Sequence, residues 1–218
     1  MSPDDIANIL QAYICFVIAI AVHEAAHAWA AWKCGDDMAR LMGRITLNPA
    51  AHLEFWGSIV LPLLGGLLTT IGSPLSGLVL GWGKPVPVNL ASFPPGKRSL
   101  YYMYVALAGP ASNLLLALLG MIAMRAALFL GSEGMQDLLR MFIYINLGLF
   151  FFNLLPIPPL DGFSVARHLL GISEETHRNL AMFGLFGVLM VANIPAVQRA
   201  LSFAMEHSFM ALEFVVGL

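Results

Sequence analysis

Between Ile9 and Trp32 the chain is almost wholly apolar, yet His23, Glu24 and His27 sit in the second half of that run. A run of this length is what an α-helix needs to cross a bilayer, about 20 apolar residues. An ionisable group near mid-membrane costs ~2.5 kcal/mol or more on insertion scales, so such groups face a cavity, a partner or a metal. Composition agrees with a membrane setting: 59% of the 218 residues are hydrophobic and 11% charged, where a soluble domain carries about 25% charged residues. The bilayer is therefore the expected solvent and lipids the expected neighbours. A net charge of -2 offers no basic excess to neutralise phosphates, which argues against nucleic acid as a partner. Cys15 and Cys34 are too few for a disulfide framework and read as free thiols. The N-terminal MSPDDIANILQAY has acidic residues where a cleavable signal has basic ones, so the first apolar run is expected to remain as a helix.

The rest of the chain predicts an all-α integral membrane protein. Cys34 to Glu54 is polar, and its ARLMGRITLN piece has weak strand character. Phe55 to Trp82 is apolar but interrupted by Pro62, Gly65, Gly66, Gly72 and Pro74, which suits a broken or re-entrant element better than one straight helix. KPVPVNLASFPPGKR follows, proline-rich and extended, and its Lys84, Lys97 and Arg98 favour a cytoplasmic position. Long helices are predicted over Tyr101 to Leu130 and about Leu138 to Leu155, and a further span over Asn179 to Ile194, stopped by Pro195. Val197 to Leu218 reads as either an amphipathic or a final spanning helix. No repeat or linker divides the chain, so a single domain over 1–218 is expected, with a core at about 9–170 and C-terminal helices at about 178–218.

His23-Glu24-Ala25-Ala26-His27 is an HExxH sequence. In a helix the spacing of four puts both imidazoles on one face, one turn apart, where they can hold one ion. Glu24 is rotated from them by about 100°, placed to take a proton from water and not to ligate. Neutral imidazoles plus a carboxylate suit zinc in a three-ligand site with an open fourth position. Acidic residues are scarce in the apolar segments, and Asp161 is the one well placed to be the third ligand. It follows PIPPL, whose prolines prevent a regular helix. The same Asp161 could instead cap a helix beginning at GFSVARHLL.

HEAAH, LAGPASN and NLLPIPPLDG, in that order and spacing, resemble the site-2 protease family of intramembrane metalloproteases, and specifically its compact prokaryotic branch without a PDZ domain. The resemblance covers about residues 10 to 170. It implies His23, His27 and Asp161 as ligands of one Zn2+ per chain, and Glu24 as general base and later proton donor. It also implies Asn113 and Asn153 as supporting groups that position substrate or stabilise an oxyanion. The plainer reading of either asparagine is an interhelical hydrogen bond. ITLNPAAHLEFWGS resembles a segment of one branch of the family, and its His52 is either a resting-state ligand or a loop histidine.

The implied activity is hydrolysis of peptide bonds in transmembrane protein substrates, at a site toward the cytoplasmic side of a prokaryotic plasma membrane. The metal imposes a topological condition. If Phe55 to Trp82 crossed once, Asp161 would emerge about 30 Å from the histidines. An even number of crossings, most simply a re-entrant hairpin, brings them together, with short β-strands at RITLN and KPVPVN beside the metal and able to hold an unwound substrate. The competing readings are a membrane metal transporter, which needs several ligand clusters along a path, and a non-catalytic metal-binding protein, against which an intact Glu24 argues.

Overall fold

The computed structural model describes residues 2–73 and 81–218. Helix α1 spans Pro3–Lys33, somewhat longer than the predicted Ile9 to Trp32. Its start is a capping box: the Asp5 N–H donates to Ser2 Oγ at 3.1 Å and the Ser2 N–H to Asp5 Oδ2 at 2.6 Å, with Pro3 in the first turn. Ile6, Leu10, Ile14 and Ile18 recur at helical spacing and are exposed, forming an apolar stripe on one face. Near the C-terminal end of α1, Ala30 and Ala31 are buried against Val105 of a neighbouring helix, which such small side chains let approach closely.

That neighbour is α4 (Arg98–Phe129), which packs against α1, α5 (Glu133–Asn153) and α6 (Asp161–Leu170). α4 is antiparallel to both α1 and α5. Ala117, Met121 and Met124 of α4 form a core with Ile143 and Leu147 of α5 and with Phe209 of the last helix. Among the described residues three helices, α1, α4 and α5, are long and apolar enough to cross a membrane.

Between α1 and α4 lie the short helix α2 (Met38–Leu41), a 3-10 turn at Pro49–Ala51, and a π-helical turn at Phe55–Val60 that runs into α3 (Leu61–Thr70). Pro62, which was expected to break this segment, lies where the π turn passes into α3, and the helix continues through it. Gly65 and Gly66 are inside α3, where the hydroxyls of Thr69 and Thr70 donate back to their carbonyls and Gly66 lets Ile9 of α1 approach. The helix stops at Gly72, whose φ of 66° suits glycine. Pro74 lies outside the described residues. The π turn and α3 together rise about 24 Å, less than a bilayer's hydrocarbon thickness of about 30 Å. The Trp82 N–H then donates to the Gly57 carbonyl at 3.0 Å, so the two described ends of the segment meet at the same level.

The expected β-strands do not form: among the described residues no strand is present. Residues 84–89 form neither helix nor strand, and Pro85 and Pro87 remove two donors that a ladder requires. Loop and side-chain groups hold this strap instead. Residues 44–48 likewise form bends and an Asn48-capped turn.

The predicted span over Asn179 to Ile194 is also corrected. α7 (Glu174–Ala181) and α8 (Gly184–Ala192) are separate helices, each too short to cross a membrane. Phe186–Ala192 meets α9 (Pro195–Val216) at a bend of 74°, and the two together are apolar enough to form a broken span. α9 runs antiparallel to α5: Met205 lies beside Gly148, Phe209 stacks on Tyr144 at 5.0 Å, and Arg125 of α4 donates to the Val216 carbonyl.

Candidate metal centre

His23 and His27 project from α1 toward α4, and their outer nitrogens are already bonded. His23 Nδ1 lies 2.6 Å from Asn113 Oδ1, and His27 Nδ1 lies 2.8 Å from the Val105 carbonyl. Both partners are oxygens that only accept, so each Nδ1 carries the proton and each Nε2 presents a lone pair. The two Nε2 atoms are 2.9 Å apart, and Asp161 Oδ2 lies 3.2 Å from one and 3.3 Å from the other. With both imidazoles neutral, three buried lone pairs converge, an arrangement that repels itself unless a proton or a metal cation sits at its centre. With ligand bonds of about 2.0–2.2 Å, a tetrahedral zinc separates its ligand atoms by about 3.3 Å, so the donor set and its spacing fit zinc.

Asp161 reaches this point because of its local sequence. The chain leaves α5 through Leu154 to Leu160, a run of turns containing Pro156, Pro158 and Pro159, and Asp161 is the first residue of α6. The N-cap position is Leu160, without a side-chain cap, so the Asp161 carboxylate does not perform the capping role that was its alternative. Gly162 admits the tight return, since a Cβ there would lie 2.2 Å from the Leu154 carbonyl oxygen.

Glu24 is 8% exposed and borders the same cavity, but its carboxylate is not among the three converging donors. The cavity, about 300 Å³, lies between α1, α4, α5 and the strap. A Cβ on Gly83 would lie 2.9 Å from Glu24 Oε1, so the strap backbone runs directly over that carboxylate. Val86 and Val88 of the strap and Leu149 and Phe152 of α5 make the remaining walls largely apolar.

The strap is fastened by groups on the loops. The buried Arg44 guanidinium donates to the Lys84 carbonyl and, at 3.2 Å, to the Pro85 carbonyl. Burial pushes the Arg44 pKa down, while the Glu24 carboxylate acts in the opposite sense. The Lys84 N–H donates to the His52 carbonyl at 2.7 Å, the Asn89 N–H to Asp36 Oδ2 at 2.6 Å, and Ser58 Oγ to the Trp82 carbonyl at 2.7 Å.

Of the residues singled out from sequence, His23, His27 and Asp161 converge and Glu24 stands beside them. Asn113 lies behind His23, fully buried, with its Nδ2 donating to Ala19 O at 3.3 Å and Asn146 Oδ1 at 3.1 Å. Asn153 lines the cavity and ties its Nδ2 back to Leu149 O at 2.9 Å. His52 is fully buried and bonded through Nε2 to Thr46 O at 2.8 Å, outside the converging trio. Sequence reasoning missed Val105, Gly109, Asn146 and Arg44. Gly109 stands one helical turn before Asn113, on the same face, and a Cβ there would lie 2.4 Å from His27 Nε2 and 2.6 Å from His23 Cε1. Its signal was the glycine in AGPASN. Asn146 could have been found as a lone amide in an apolar helix.

Comparison with known proteins accords with this geometry. The chain is 38% identical over 164 residues to "Putative zinc metalloprotease YwhC" of Bacillus subtilis (strain 168), covering 72% of this chain and 68% of the relative. It is 31% identical over 187 residues to "Putative zinc metalloprotease Rip2" of Mycolicibacterium smegmatis, covering 84% of this chain and 67% of the relative. No solved structure matches it. The description of Peptidase family M50 matches residues 11–192, most of the chain and every donor of the site, and the chain belongs to that family.

Proposed function

We propose that the chain is a zinc-dependent intramembrane endopeptidase, a single membrane-embedded unit over residues 1–218 that hydrolyses peptide bonds in transmembrane proteins. The observation that carries this reading is the convergence of the His23, His27 and Asp161 lone pairs at the edge of a cavity that also contains Glu24. In this reading the three residues hold one zinc per chain. Bound there, zinc supplies Lewis acidity, polarising a carbonyl and lowering the pKa of water to about 7. Glu24 takes the proton of the attacking water and passes it to the leaving amine, so that the C–N bond breaks without releasing an amide anion. Asn113 and Val105 hold the imidazoles in the tautomer that offers Nε2 inward. Asn153 and the strap line the space where an extended substrate segment would lie, and the apolar walls exclude water from it.

Depth and charge support a cytoplasmic orientation. His27 and His23 precede the end of α1 by about 9–15 Å, and Val105 and Gly109 follow the start of α4 by about 10–17 Å. The C-terminal end of α1, the N-terminal end of α4 and the C-terminal end of α5 share one face, where Lys33, Arg40, Arg44, Lys84, Lys97 and Arg98 gather. Basic residues favour the cytoplasmic side. The Trp82 to Gly57 hydrogen bond supports a re-entrant path for the segment between them. The bacterial relatives support a prokaryotic plasma membrane. Against a transporter, the described residues contain one cluster of potential ligands and not a path of them.

The test is zinc content and cleavage measured together on purified protein. Wild type should hold about one zinc, Glu24→Gln should keep it while losing turnover, and His23→Ala, His27→Ala or Asp161→Ala should each lose most of it. Full zinc in Asp161→Ala, or cleavage by Glu24→Gln, would overturn the assignment.

A further inference from the structure

Asn146 lies in the middle of α5, is fully buried, and touches neither the cavity nor the three converging donors. A buried amide in an apolar helix must have its hydrogen bonds satisfied, and the way this one is satisfied gives it a direction. Its Nδ2 donates to the Phe142 carbonyl at 2.9 Å. That carbonyl only accepts, so the amide is turned with Oδ1 toward α4. Oδ1 in turn only accepts, so Asn113 must present Nδ2 to it, at 3.1 Å. This leaves Asn113 Oδ1 facing His23 Nδ1 at 2.6 Å, which must then carry the proton and leave Nε2 as a lone pair. The sense of each bond is dictated by the one before it, from a main-chain carbonyl of α5, through α4, to an imidazole of α1.

We infer that Asn146 is a positioning residue for His23: acting through Asn113, it fixes the tautomer and ring orientation in which His23 offers Nε2 to zinc. The inference rests on the metalloprotease reading above. Ala19 O also accepts from Asn113 Nδ2, but at 3.3 Å it is the longer of the two contacts and uses one of two amide protons. Without Asn146 the other proton is buried without a partner, and the amide loses its more direct restraint. His27 needs no such relay, because its Nδ1 is held by the main-chain carbonyl of Val105, which no substitution removes.

The experiment uses the full chain in detergent micelles. It measures zinc affinity by competition with a chelator, and the absorption spectrum of the Co2+-substituted protein, which reports ligand geometry. Groups that orient a ligating histidine are worth about 10- to 100-fold in metal affinity. Asn146→Leu should therefore weaken zinc by that order and shift the Co2+ spectrum. Asn146→Asp should restore most of both, because a carboxyl kept neutral by burial can donate to Phe142 O and accept from Asn113. In an Asn113→Ala background Asn146→Leu should cost nothing further, since the path to His23 is already cut. Wild-type affinity and spectrum in Asn146→Leu, or losses that add in full in the double variant, would overturn the inference. If Asn146→Leu does not fold, Asn146→Asp and Asn146→Ser decide: retained zinc in the first and loss in the second supports it, and equal affinity overturns it. A wild-type chain that binds no zinc would instead refute the underlying metalloprotease reading.

Discussion

Replacing Gly109 by alanine adds one methyl group at the closest approach of α4 to the metal ligands. That Cβ would lie 2.4 Å from His27 Nε2, 2.5 Å from His27 Cε1 and 2.6 Å from His23 Cε1. Ordinary carbon contacts are about 3.5–4.0 Å, so something must move by about 1 Å. The imidazoles cannot swing freely, because both are held at Nδ1 by Asn113 and Val105. Either a ring tilts and misdirects its lone pair, or α4 is pushed away from α1. Overpacking of this kind costs about 1–3 kcal/mol. If the strain falls on the holo geometry, zinc binding weakens about 5- to 150-fold at about 1.4 kcal/mol per tenfold. Chelator competition on purified Gly109→Ala, with cleavage of a model transmembrane substrate in parallel, reads this out. Gly148→Ala is the control: its Cβ would meet Met205 Sδ at an ordinary 3.6 Å, and zinc should be unaffected. Wild-type zinc affinity and turnover in Gly109→Ala would refute the argument that the glycine exists to admit the ligands.

Two further outcomes are expected. Cysteine labelling at sites near Arg44 and Lys97 should report the same side of the membrane and labelling at Leu218 the opposite side, because α9 runs antiparallel to α5; opposite labelling of the first two would refute the even number of crossings. Arg44→Met should raise KM about tenfold or more with zinc content unchanged, since each hydrogen bond from a charged donor to the strap is worth about 1.5–3 kcal/mol, and an unaltered KM would mean that strap placement does not govern substrate binding.

The chemistry at this site was legible in the sequence wherever the constraint is local. A four-residue spacing on a helix puts His23 and His27 on one face whatever surrounds them, and ionisable groups in so apolar a run must be matched by something. The run of prolines before Asp161 likewise announced an irregular entry, and the requirement that one ion meet both His23 and Asp161 led to the expectation of an even number of crossings. What could not be read was anything set by how separate helices meet. The strap looked strand-like because proline and valine favour extended backbone, but a strand also needs a partner edge, and here Arg44, His52 and Asp36 took that place from distant loops. Asn179 to Ile194 looked continuous because hydropathy does not register a turn at Met182 and Phe183. Asn146 was one apolar-helix amide among others until packing put it behind Asn113. The sequence alone determined which residues could ligate a metal and that the two histidines share one face of a long apolar helix. Tertiary structure alone decided which nitrogen each histidine turns inward, because that choice rests on acceptors 78 and 90 residues away along the chain.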